Sequence, residues 1–141
     1  MLEGEFNKAI EYHTLDLAIE KEVGDRAGEA AAYGNLGCAY QSQGDYAKAI
    51  EYHGKRLAIE KEVGDRAGEG AVYANLGIVY QSQGDFSKAI DHHGQHLAIA
   101  KEVGDRDGEG TAYGNLGTCH MHLNECKPSP TSKHNMLWPH C

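Results

Sequence analysis

Proline is missing from the first 127 residues; the three prolines, Pro128, Pro130 and Pro139, all sit near the C-terminus. Nothing before them removes a backbone donor or forces a kink, so long uninterrupted helices are allowed there. Basic charge is also scarce, with 13 Lys and Arg against 21 Asp and Glu and a net charge of −8. A chain this acidic lacks the basic patch that nucleic acid or an anionic membrane surface requires as a partner. No apolar run approaches the roughly 18 residues of a membrane span. The start, Met1-Leu2-Glu3-Gly4-Glu5, has neither the basic nor the apolar region of a secretion signal. Cysteines number four, Cys38, Cys119, Cys126 and Cys141, and none is in a CxxC pair. That is no disulfide framework, and a reducing, cytoplasmic setting is expected. There is no glycine-rich phosphate loop, HExxH or nucleophile elbow, so the reading is that the chain is not an enzyme and needs no cofactor.

What the sequence does contain is repetition. Gly24-Asp25-Arg26 returns as Gly64-Asp65-Arg66 and Gly104-Asp105-Arg106. Asn35-Leu36-Gly37 returns as Asn75-Leu76-Gly77 and Asn115-Leu116-Gly117. The period is 40, and residues 24–63 and 64–103 agree at 28 of 40 positions, which chance does not produce.

Inside each unit the spacing is helical. Tyr33, Leu36 and Tyr40 fall on one face, as do Tyr46, Ala49, Ile50, His53 and Leu57 after a break. The break is Gly44-Asp45: glycine can take the positive φ that ends a helix, and aspartate caps the next. Six helices are predicted, over 5–23, 27–43, 46–63, 67–83, 86–103 and 107–123. Short turns make neighbours antiparallel. The domains follow: 1–23 a second helix of a partial unit, 24–63 and 64–103 complete units, 104–123 the first helix of another, and 124–141 a non-repeat tail expected to be disordered. The partial units suggest a fragment or truncated product. They leave apolar residues without a partner at each end (Ile10 and Leu17; Tyr113 and Leu116), so self-association through the ends is expected.

Tyr33, Leu36-Gly37, Tyr40, Gly44, Tyr46 and Ala49, with Tyr73, Leu76-Gly77, Tyr80, Gly84, Phe86 and Ala89, match the signature offsets of tetratricopeptide repeats, and residues 1–123 resemble that family. The 40-residue unit resembles the LGN/Pins variant of the repeat. The resemblance implies an all-α, right-handed superhelical solenoid of antiparallel helix hairpins that binds a protein or peptide in a concave groove lined by each first helix. The family's ligand-facing Asn corresponds to Asn35, Asn75 and Asn115. An amide donates and accepts, so three at one-unit spacing could hold an extended backbone; the alternative is that they satisfy groups within the stack. Gln41, Gln81, Cys38 and Ile78 are placed in the same groove, with Ala31, Gly34, Ala71 and Ala74. LGN-like repeats often carry arginine where Ala31, Ala71 and Thr111 stand, so the groove is expected to be shallow and near neutral rather than built for an acidic peptide.

Arg26, Arg66 and Arg106 follow their Asp neighbours at helix starts and read as surface ion-pairing groups. Glu51, Glu60 and Glu62 read as a solvent-facing stripe paired with Lys48, Lys55 and Lys61. His92 and His96 have a metal-compatible spacing, and Cys119, His120, His122 and Cys126 cluster, but neither fits a zinc pattern. His93 aligns with His13 and His53 and reads as an interhelix residue. No metal is expected. Binding of a peptide is the primary functional reading, and a structural spacer within a longer scaffold is the alternative.

Overall fold

The computed structural model describes residues 2–126, all but the turns helical: α1 (Leu2–Val23), α2 (Arg26–Gln43), α3 (Tyr46–Val63), α4 (Arg66–Ser82), α5 (Phe86–Val103) and α6 (Arg106–Cys126). Each helix packs on the next, giving a solenoid of antiparallel hairpins.

The turns work as their sequence suggests. Gly24, Gly44, Gly64, Gly84 and Gly104 all have φ between 75° and 86°, a region other residues enter at a cost. At the α2–α3 turn the N–H of Asp45 donates back to the Tyr40 carbonyl at 2.9 Å and that of Gly44 to Gln41 at 3.0 Å. The Asp45 carboxylate then accepts from the Lys48 N–H at 3.2 Å, starting α3. Asp25, Asp65, Asp85 and Asp105 cap the other helices in the same way. Asp65→Ala should therefore lower stability by about 1 kcal/mol, measurable by urea unfolding followed by circular dichroism.

Packing within each hairpin uses one close approach. His53 of α3 is fully buried beneath Gly37 of α2, and His93 of α5 beneath Gly77 of α4. A β-carbon at Gly37 would lie 2.6 Å from the His53 ring, and one at Gly77 2.5 Å from that of His93. Tyr52 stacks on Tyr33 and Tyr40 at 6.1 and 5.5 Å, and His92 takes its place against Tyr73 and Tyr80. The open end of each hairpin is pinned by an ion pair, Arg26 with Glu62 and Arg66 with Glu102. Leu17, Ala30, Tyr33, Leu36 and Ile59 form a continuous core across units.

Several expectations are corrected. Helix α1 begins at Leu2, α2, α4 and α6 each start one residue earlier than predicted, and α4 stops at Ser82. Helix α6 runs on to Cys126, because no glycine stands where the other units have Gly-Asp. The first residues of the expected tail are thus helical, and 127–141 lie outside the described residues. Glu60 is buried against α4 and pairs with Arg56, not lysine. Glu62 pairs with Arg26, which also reaches Glu29 rather than its sequence neighbour Asp25. Leu17, expected at a bare end, is buried against α2, and the bare residues of α1 are Tyr12, Leu15, Ile19 and Val23. Helix α1 is apolar on two faces, and periodicity does not say which one a neighbour covers.

Candidate partner-binding groove

The first helix of each hairpin is buried on one side and open on the other. On α2 the open stripe is Ala31, Asn35, Cys38 and Ser42; on α4 it is Ala71, Ile78 and Ser82, with Asn75 half-buried among them; on α6 it is Thr111 and Thr118 with Asn115 half-buried. Steps of three and four keep each set on one face, opposite the residues that pack on the second helix. None of these residues is charged, so the stripe is near neutral.

The side-chain amides of Asn35, Asn75 and Asn115 make no hydrogen bond to any described residue. They hold the same register on α2, α4 and α6. Cys38 is exposed and Ile78 is 39% exposed. Gln41 and Gln81 are half-buried and differ from one another. The Gln81 Oε1 turns inward, 3.3 Å from His93 Nε2 and accepting from Cys119 Sγ at 3.6 Å, so it ties α4 to α5 and α6 and leaves only its NH₂ for a ligand. In the preceding hairpin both ring nitrogens of His53 lack a partner. The link through Gln81 was not foreseen; the one signal for it is Cys119, which stands where the earlier units have Ala39 and Val79.

Burial holds the imidazoles of His53 and His93 neutral, each with a pKa of about 4; the Arg56 guanidinium adds to the effect at His53, and His96 and His92 at His93. Desolvation raises the thiols of Cys38 and Cys119, so neither favours the thiolate. His92 bonds the Lys88 carbonyl at 2.8 Å and is occupied against Tyr80. Among the described residues no three His, Cys, Asp or Glu side chains are grouped to hold a metal ion, and no helix is long and apolar enough to cross a membrane.

A cleft of about 370 Å³ opens between α4 and α5, lined chiefly by Gly70, Ala71, His96, Ile99, Ala100 and Val103. Ala71 also belongs to the open stripe, so the two are continuous. The positions equivalent to Gly70, His96 and Ala100 in the preceding hairpin hold Ala30, Arg56 and Glu60, with Arg56 laid against Gly34 and paired to Glu60. Three smaller or shorter residues account for the space.

Comparisons with known proteins agree with this geometry. The tetratricopeptide-repeat family model matches residues 1–62, 51–102 and 68–128. No curated protein sequence matches the chain. Among solved structures, BtubC (BKLC) from P. vanneervenii is similar over 86% of this chain at 26% identity and a TM-score of 0.77, and this chain spans 51% of it. The TPR domain of Arabidopsis FLU is 25% identical over 70% of this chain and 83% of its own length, with a TM-score of 0.66. A putative kinesin light chain from Podosopora anserina with nearly identical TPR-like repeats shares the fold at 19% identity, over 89% of this chain and 62% of its own, with a TM-score of 0.73. Capping, period, glycine–histidine packing and the family match all converge: this chain belongs to the tetratricopeptide-repeat family.

Proposed function

We propose that the chain binds an extended segment of a partner protein along the stripe carried by α2, α4 and α6. Tetratricopeptide repeats are in general protein–protein interaction modules. The observation that carries the reading is the placement of Asn35, Asn75 and Asn115: three solvent-accessible amides at one-unit intervals, none of them hydrogen-bonded to a described residue. Each can bond both the N–H and the C=O of a peptide, so the contact holds main chain without reading its sequence. Sequence preference would come from the apolar cleft beside Ala71 and from Ile78. An uncharged stripe favours a neutral or apolar segment over an acidic one.

The test is a peptide-display selection against the chain, repeated with Asn35, Asn75 and Asn115 all changed to Ala. A consensus peptide that the triple variant loses by tenfold or more in affinity, with helix content unchanged, is the expected result. Selection of the same peptides by the variant would move binding to another face.

A further inference from the structure

We infer that a second copy of this chain docks head to tail, its α1 lying on α6 of the first as α3 lies on α2 and α5 on α4. This goes beyond the groove reading and uses different surfaces, so either can fail without the other.

Among the described residues the two halves of the hairpin contact stand open, one on α6 and the other on α1. On α6, Tyr113 is 53% exposed, whereas its counterparts Tyr33 and Tyr73 are 7% and 9% exposed. Gly110, Gly114 and Gly117 of α6 have no described residue over them, whereas Gly37 and Gly77 lie under a histidine, Gly34 under Arg56 and Gly70 under Ile99. On α1, Ile19 is 55% exposed against 3% and 4% for Ile59 and Ile99, and Tyr12 is 67% exposed where Tyr52 is stacked between tyrosines. His13 occupies the position of His53 and His93.

Laying α1 of one copy on α6 of another therefore repeats known contacts residue for residue. Tyr12 meets Tyr113 and His120, as Tyr52 meets Tyr33 and Tyr40. His13 covers Gly117, as His93 covers Gly77. Ile19 covers Gly110, as Ile99 covers Gly70. The charges complete the match. Arg26 and Arg66 each bond a glutamate near the end of the next helix, Glu62 and Glu102. Arg106 is highly exposed and has only Glu109 of its own helix, while Glu22, at the same place on α1, has no ion pair among the described residues. The contact is heterologous, so each added copy leaves both end faces free and growth does not close after two chains.

The test is sedimentation equilibrium on the whole 141-residue chain at physiological salt. The average mass should rise above the 15.3 kDa of one chain at concentrations on the order of 10–100 µM. Gly117→Trp blocks one face, and Tyr12→Lys with Ile19→Lys blocks the other. Both variants alter exposed positions and should keep the helical signal; Gly110→Lys is the substitute if Gly117→Trp does not. Each blocked variant alone should stay monomeric, and an equimolar mixture should form a pair and grow no further. Arg106→Glu should weaken association about tenfold, and adding Glu22→Arg to it should restore the original strength. A wild-type chain that stays monomeric at about 500 µM, a variant blocked at one face that still dimerises alone, or a charge swap that restores nothing would each overturn the proposal.

Discussion

Gly77→Ala is expected to destabilise the protein by about 1–2 kcal/mol, whereas Gly117→Ala, in the same Asn-Leu-Gly context, is expected to stabilise it by about 0.5–1 kcal/mol. In a helix interior alanine is favoured over glycine by roughly 1 kcal/mol, so the intrinsic gain is the same at both sites. The surroundings differ. A β-carbon at Gly77 would lie 2.5 Å from His93, a ring with no exposed surface and hence no room to retreat, so α4 and α5 must separate or the ring must leave its place. Overpacking of that kind outweighs the propensity gain. At Gly117 no described residue lies within 4 Å of the added β-carbon. Urea unfolding of both variants, compared with the parent, decides the matter. Shifts of the same sign would show that the glycine–histidine contact is loose and that the packing account is wrong. Gly37, beneath His53, should behave as Gly77 does.

Acidification is the second large effect. His53 and His93 have pKa values of about 4 in the folded chain, against the ordinary value of 6.5. Between those values the unfolded chain binds more protons than the folded one, so stability rises with pH across that window. The contribution of the neutral rings is complete above about pH 6.5, declines as pH falls below it and is gone below about pH 4. From pH 7.5 to 5.0 the loss should be roughly 2 kcal/mol for each histidine. The cause is burial first, since a charged imidazole there would have neither water nor an acidic partner, and Arg56 repels charge at His53. His96 is shifted the same way by its own burial. His53→Leu should be within about 1 kcal/mol of the parent at pH 7.5, because both ring nitrogens are already without partners, and should remove a substantial part of the pH dependence. Denaturant midpoints at pH 7.5 and 5.0 give the answer; a flat profile in the parent would mean that water reaches these rings.

Much of this architecture was legible in residue order because its determinants are local. Gly44-Asp45 stops one helix and caps the next within five residues, and Tyr33, Leu36 and Tyr40 mark the buried face by spacing alone. The interhelix role of His93 was legible by alignment with His13 and His53. The candidate groove was legible only as positions. That Asn35, Asn75 and Asn115 find no partner among the described residues, and that the Gln81 carbonyl turns toward His93 and Cys119 while Gln41 makes no such link, depends on atoms from other helices. The cleft beside Ala71 required three separate differences between units to coincide in space.

By itself the sequence determined the number of helices, their order, their antiparallel pairing and the family, since caps, turns and a 40-residue period act over short range and repeat without ambiguity. Only the tertiary structure decided which of two apolar faces α1 buries, which glycines are sealed, and which charged side chains meet across 36 residues, as Arg66 and Glu102 do. The reason is physical: Asn-Leu-Gly reads the same at 77 and 117, and what makes one glycine indispensable and the other free is the ring that packs, or does not pack, against it.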